Sequence, residues 1–258
     1  MSGYYYVLSA LPPLALGVKP ELSFKEVREM LALNLSAKDL HEVERLLRPI
    51  DLYNIRALWL GLPLDDKGNY NSRDLEEVLL VQGPLPPYLI DFLERYESTE
   101  DRLRYFSSLY ASLYREEQVK FTGFLRKYYQ FERELRLILT ALRAKQAGRD
   151  IVRELQFEDP LDPFVAQILA QKDVAEYTPP REYEDLKTLF MENRSDPKKL
   201  YRAILQYRFD KIEEMEEVPD FGIDSILAYL AKLILVESWA QLDREKGTTA
   251  VEQLSQYG

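Results

Sequence analysis

Apolar residues recur every three or four positions through much of the chain. Phe121, Phe124, Tyr128, Phe131, Leu135, Ile138 and Leu142 step by 3, 4, 3, 4, 3 and 4, which places all seven on one face of an α-helix. Such a stripe reads as a helix face turned to a core, with a coiled-coil seam as the alternative. No proline lies between Ser98 and Gly148, so the spacing predicts a long middle helix there. Gly123 either bends that helix or admits a close neighbour. Strands are not signalled, because no Asn-Gly or Asp-Gly turn joins alternating apolar runs.

Helix starts are marked by side chains that can satisfy the free N–H groups of a first turn. Ser23-Phe24-Lys25-Glu26 is a capping box, and Ser36-x-x-Asp39 and Ser98-x-x-Asp101 repeat an acidic version. Ser72 is assigned a cap as well. Asp196-Pro197 sets an acceptor at the N-cap and proline at the first helical position, opening a run to about Glu217 that Pro219 closes. Proline clusters at Pro84 to Pro87, Pro160 to Pro163 and Thr178-Pro179-Pro180 read as linkers. The expected fold is all-α, divided into an N-terminal helical unit (1–97), a long middle helix with a second unit (98–180) and a C-terminal helical unit (181–258).

Composition narrows the chemistry. The 258 residues hold 44 acidic against 34 basic side chains, one His and no Cys. So acidic a chain gains little from counterion release, which disfavours nucleic acid as a partner. Without Cys and with a lone His, thiolate zinc sites, iron–sulfur clusters, thiol nucleophiles and paired-His metal motifs have no ligands. His41 is followed by Glu42 and Glu44, which are not aligned with it on a helix, and it reads as a surface or boundary residue. No glycine-rich phosphate loop and no G-x-S-x-G elbow is present. The acidic run Glu213-Glu214-Met215-Glu216-Glu217 lacks the glycine turn of a calcium loop and reads as a solvated or partner-facing helix end. The apolar stretch from Ile223 to Val236 contains Lys232 and stops at Glu237, short of the ~20 residues that span a bilayer. Tyr4 to Leu8 is too short for a signal peptide, and Pro12-Pro13 interrupts the segment after it. These features predict a cytoplasmic chain without metal or cofactor. Charge is uneven: Asp101 to Leu155 holds 12 basic and 7 acidic residues, a positive rib in an acidic protein, with Glu132 and Arg136 a candidate i,i+4 pair.

A segment is repeated. Asp51 to Gly61, read as a helix, is followed by a polar turn and a capped helix through Leu79. Leu135 to Leu139 leads into Arg143-Ala144-Lys145-Gln146-Ala147-Gly148 and a short apolar helix from Ile151 to Leu155. A third unit runs through Ile226 to Lys232, continues to Lys246, turns at Gly247, and is capped again at Thr248 before Val251 and Leu254. Three long-helix, turn, short-helix units point to pseudo-symmetry. The arrangement resembles the C-type subunit of the archaeal and bacterial V/A-type ATPases, the d-type subunit in eukaryotes, whose repeats carry a D-x-x-N-[IL]-[RK] helix, an R-[AG]-K-x-x-G turn and a short helix. Asp51, Asn54, Ile55 and Arg56 match the helix, Arg143, Ala144, Lys145 and Gly148 the turn, and Phe221-Gly222-Ile223 with Leu227 to Lys232 resembles the last long helix. Ser238 and Ala240 stand where the third unit would repeat Asn and Arg. The opening Tyr4 to Pro13 looks like an uncharacterised bacterial family associated with V-type ATPases.

The resemblance implies a non-catalytic part of a proton- or sodium-translocating rotary motor. Three helical units with pseudo-threefold symmetry would form a funnel coupling the central stalk subunits to the membrane proteolipid ring, peripheral to the membrane and serving ion transport and ATP synthesis or hydrolysis. No cofactor, metal, small-molecule substrate or direct membrane insertion is implied. A free-standing helical-repeat adaptor for protein–protein interaction is the alternative, and a lyase or hydrolase with carboxylate chemistry comes third. Asp51, Asn54, Arg56, Arg143, Lys145 and Gly148 are expected to serve packing, capping or charge pairing between helices. Arg126, Lys127 and Arg133 are the expected contacts to an acidic stalk partner.

Overall fold

A computed structural model describes residues 4–83, 85–216 and 222–244. Among the described residues there is helix and loop and no strand, so the chain is all-α. The helices are α1 (Tyr5–Ala10), α2 (Phe24–Asn34), α3 (Ala37–Leu60), α4 (Ser72–Val81), α5 (Pro87–Arg95), α6 (Thr99–Arg104), α7 (Ser107–Glu117), α8 (Gly123–Gln146), α9 (Ile151–Glu154), α10 (Pro163–Leu169), α11 (Glu184–Asn193), α12 (Pro197–Met215) and α13 (Ile223–Arg244).

Local chemistry sets most of the starts. Ser23 forms the full capping box of α2, its hydroxyl accepting from the Glu26 N–H while the Glu26 carboxylate accepts from the Ser23 N–H at 2.8 Å. Ser36, Ser98 and Asp196 cap α3, α6 and α12 as the sequence predicts. Ser72 is the first residue of α4 instead of its cap. Asn71 does the capping, accepting from the Asp74 N–H at 3.0 Å. Two of the three proline segments read as linkers run into helix starts, with Pro87 and Pro163 in first-turn positions of α5 and α10, where a missing N–H costs nothing, whereas Thr178-Pro179-Pro180 is loop as read. Pro84 lies outside the described residues.

The middle of the chain is not one helix. α6, α7 and a 310 turn at Gln118–Lys120 precede α8, and the break before α8 falls at Gly123. Its φ of +56° is left-handed, and a Cβ there would collide with the Asp224 carboxylate on the first turn of α13. The glycine therefore serves close approach and a turn together. All seven residues of the 3, 4 stripe are buried. Glu132 and Arg136 do not pair. Glu132 accepts from Arg208 of α12 at 2.8 Å, and Arg136 binds Glu158, because both side chains face neighbouring elements.

Two hydrophobic clusters organise the core. The first joins α2, α3, α5, α7, the start of α8 and α13, with Leu205, Phe209 and Ile212 from α12. The second joins the rest of α8 to α9, α10 and α11, with Ile204 and Tyr207 from the same α12. α8 and α12 belong to both. Nothing in these two clusters confirms a pseudo-threefold axis among three units. Within the first proposed repeat, α3, the loop and α4 are present. In the second, α8 ends at Gln146, Gly148 turns with φ +64°, and α9 follows. In the third, Phe221, Gly247, Thr248, Val251 and Leu254 lie outside the described residues, as do Glu217 and Pro219. No helix among the described residues is long and apolar enough to cross a membrane.

Candidate functional site: a double cleft along α3

One face of α3 carries His41, Glu44, Arg48, Asp51, Leu52 and Ile55, a 3- and 4-residue spacing that stacks them along ~21 Å of helix. Together with Arg28 of α2, the loop 61–71, Leu75 of α4 and the start of α5, this face bounds a cleft of 440 Å3. Leu52, Ile55, Leu75, Leu85 and Leu89 supply apolar walls, and Tyr70 and Tyr88 stand beside them. A second cleft, of 240 Å3, adjoins it across Arg48, Leu85 and Pro86 and is lined further by Arg45, Pro87, Glu117 and Lys120.

The wall formed by residues 61–71 has no regular structure, and α3 holds it in place. Gly61 ends α3 in the left-handed region with φ +67°. Asn54 then clamps Asp65 from both sides, donating to its carbonyl and accepting from its N–H, each at 2.8 Å. One turn earlier, Asp51 accepts from the Asn69 N–H at 2.7 Å and from its Nδ2 at 2.6 Å. Arg28 donates to the Gly68 carbonyl at 2.7 Å. Gly68 leaves no room for a side chain: a Cβ would stand 2.5 Å from Asn54 Nδ2 and 3.1 Å from Asp51 Oδ1. Lys67 points inward, 1% exposed, with its ammonium 2.8 Å from Asp65 and 3.9 Å from Glu237 of α13.

Burial raises the Asp51 carboxyl to about 6, against the pull of its two Asn69 hydrogen bonds and of the nearby Arg28 and Arg48 guanidiniums. Burial likewise raises the Tyr88 hydroxyl, with Glu117 adding to the effect. His41 stands at the exposed rim, its Nδ1 2.9 Å from Glu44. In the second cleft, Glu117 is almost fully buried and is bound by Arg48 and, at 3.4 Å, by Lys120. Arg45 pairs with Glu42 at 2.7 Å and lies over the Phe121 ring. No group of three or more His, Asp or Glu among the described residues is arranged to hold a metal.

A family model covers residues 1–256 of this chain. The chain belongs to the family described as "Protein of unknown function (DUF2764)". An "Uncharacterized protein" of Chlamydia muridarum (strain MoPn / Nigg) is 31% identical over 253 residues, covering 96% of this chain and 95% of the relative. One from Chlamydia trachomatis serovar D is 31% identical over 254 residues, covering 95% and 96%. One from Chlamydia pneumoniae is 30% identical over 260 residues, covering 98% of each. All three are bacterial. No solved structure matches the chain. Neither the family nor these relatives bear the designation of a rotary-ATPase component, which overturns the assignment to the C-type subunits of V/A-type ATPases. The motifs behind that assignment are short helix-and-turn signatures, and this chain carries them within a family of its own.

Of the six motif residues singled out in the sequence, Asp51 and Asn54 come together at the loop and Asp51 alone lines the cleft, where His41 and Glu44 also stand. Arg56 lies over the Phe106 ring at 5.9 Å. Lys145 donates to the carbonyls of Lys172 and Val174 on the far cluster, and burial with the charge of Arg149 lowers the pKa of Arg143. Arg126 and Lys127 are exposed, whereas Arg133 is mostly covered and pairs with Asp162 at 3.1 Å. Sequence reasoning missed Arg28, Arg45, Arg48, Asn69, Tyr70, Tyr88 and Glu117. The signal in α3 was available as the 41, 44, 48, 51, 55 spacing, but its mixture of charged and apolar residues hides it from a search for apolar stripes.

Proposed function

We propose that this DUF2764 chain is a non-catalytic protein-interaction module, an adaptor that receives a segment of a partner protein in the double cleft along α3. The observation that carries the reading is the junction of the two clefts over Arg48, Leu85 and Pro86. Tyr70, Pro86 and Pro87 leave apolar surface along the clefts for a partner to cover, bordered by the charged groups of α3. A helix face of ~21 Å is long enough for several turns of a partner. The clamped loop supports the reading too, since a wall held by Asn54, Asp51 and Arg28 loses little freedom when a partner arrives.

The test is affinity capture of the chain, tagged at its own chromosomal locus, with quantitative mass spectrometry. It is compared with a variant carrying His41→Trp and Glu44→Trp, two exposed positions whose indoles would close the mouth of the cleft. The reading expects a protein partner that is retained by the wild type and depleted at least tenfold by the variant at equal melting temperature. An identical set of retained proteins would overturn it.

A further inference from the structure

We infer that residues 68–81, the end of the loop together with α4, are a flap over the first cleft, latched to α3 through Asp51 and Asn69 and released more readily as Asp51 gives up its proton. The inference names a regulation of the proposed interaction site and rests on that reading only for what the flap admits. Upstream, the two Asn54 hydrogen bonds to Asp65 and the buried Lys67, set against Asp65 and Glu237, pin residues 65–67, so the movable part begins at Gly68. Beyond that point the attachments are few. Asn69 donates to Asp51 from its N–H and its Nδ2, and from the same Nδ2 to the Glu44 carbonyl at 2.9 Å. Arg28 donates to the Gly68 carbonyl. In α4, Leu75 is the one fully buried side chain, while Leu80 and Val81 at its end are exposed. Gly68 and Gly83 bracket the segment, and their backbones can absorb a hinge motion.

The closed flap leaves two polar groups poorly served. Three ionisable side chains are buried among the described residues, Asp51, Lys67 and Glu117. Lys67 faces Asp65 and Glu237, and Glu117 is bound by Arg48 and Lys120, but Asp51 has no ion pair among those residues and only the amide donors of Asn69. Asn69 Oδ1 is buried with no donor at all. Opening hydrates both, and a buried carboxylate without a counter-ion favours its neutral form as long as the flap stays shut. The ionisable groups around Asp51 are Arg28 of α2, His41, Glu44 and Arg48 of α3 itself, Tyr70 of the flap and Tyr88 of α5. The two guanidiniums favour the carboxylate, yet Arg28 is engaged by Gly68 and Arg48 by Glu117. Burial keeps the Tyr70 and Tyr88 hydroxyls above their ordinary value, so neither titrates near neutral pH. Burial is also the largest influence on the Asp51 carboxyl and holds it at about 6, above the ordinary 3.8 that an open flap restores. The closed form is therefore favoured at acid pH and loses ground as pH rises toward about 6, by up to about tenfold per pH unit.

Amide hydrogen exchange of the full chain, without a partner, at pH ~4.5 and ~7.5 and corrected for the intrinsic rate at each pH, tests this. Protection of residues 68–81 is expected to fall at least tenfold between the two, with residues 61–67 and α9 to α11 falling less than threefold. Asp51→Asn keeps an acceptor for the Asn69 N–H and has no proton to lose, so the flap's protection should then stay constant within threefold. His41→Gln should leave the wild-type fall intact. Protection that is unchanged or rises with pH, a fall spread evenly over the chain, a fall that persists in Asp51→Asn, or one abolished by His41→Gln overturns the inference. Where Asp51→Asn does not fold, the wild-type chain decides: the side-chain carboxyl 13C resonance of Asp51 should titrate near 6, and a midpoint at or below ~4.5 overturns the inference. All of these readings are made on the chain alone, so their failure leaves the interaction module standing, and failure of the affinity capture leaves the flap standing.

Discussion

Asp51 shows how one side chain ties fold to site. Its carboxylate is buried on α3, fixes Asn69 through two hydrogen bonds, and lines the cleft. Its carboxyl is raised to about 6 from an ordinary value of 3.8, so the folded chain holds this proton more tightly than the unfolded chain. The stability linked to the group is fully present below pH ~4 and is lost as pH rises through about 6, at ~1.4 kcal/mol per pH unit within that window. Asp51→Asn keeps an acceptor for the Asn69 N–H and removes the titration. Denaturant melts between pH 4 and 7 should then show a flatter profile for the variant than for the wild type. Gly68 belongs to the same construction. A methyl group there meets Asn54 Nδ2 at 2.5 Å, and Asn54 cannot withdraw without releasing Asp65. Gly68→Ala is therefore expected to cost ~1–3 kcal/mol in equilibrium unfolding, and a change below ~0.5 kcal/mol would show that the loop adjusts freely. The D-x-x-N spacing was visible in the sequence, but its purpose was not. Its partners, Asp65 and Asn69, lie 11 and 18 residues downstream in a loop without periodicity.

At the scale of the helix, what was legible was local. The capping box at Ser23, the Asp196-Pro197 start and the stripe on α8 depend on residues within a turn or two of each other, and each is found in the fold. What failed depended on distant neighbours. Gly123, at the break before α8, faces the carboxylate of Asp224, about a hundred positions away, which leaves no room for a Cβ there. Glu132 and Arg136 share a helix face at i,i+4 spacing, yet each found a partner on another element, Arg208 and Glu158, since long-range pairs in a covered groove outweigh an exposed i,i+4 pair worth ~0.2–0.5 kcal/mol. The stripe itself offers a quantitative check. Ile138 is fully buried between α8 and its neighbours in the second cluster, so Ile138→Ala is expected to lower stability by ~2–5 kcal/mol, measured as a shift in denaturant midpoint at unchanged slope. A loss under ~1 kcal/mol would mean that α8 is not the central element of that cluster.

The whole molecule joins two hydrophobic clusters through α8 and α12 and carries its double cleft on the first, away from α9, α10 and α11. The all-α class was readable from periodicity, capping and the scarcity of turn signals. The resemblance to a rotary-ATPase component was not a reliable guide, because short helix-and-turn motifs recur in unrelated helical chains. The cleft was not readable at all, being assembled from α2, α3, α5, a loop and the residues preceding α8. The interaction site proposed above therefore lies on one side of the molecule, which is a claim about the whole. Hydrogen–deuterium exchange of the chain, alone and bound to its captured partner, tests it most directly. The account predicts added protection in residues 61–71 and through the first turn of α5, with α9 to α11 unchanged. Protection confined to the second cluster, with residues 61–71 exchanging at the same rate in both states, would contradict it.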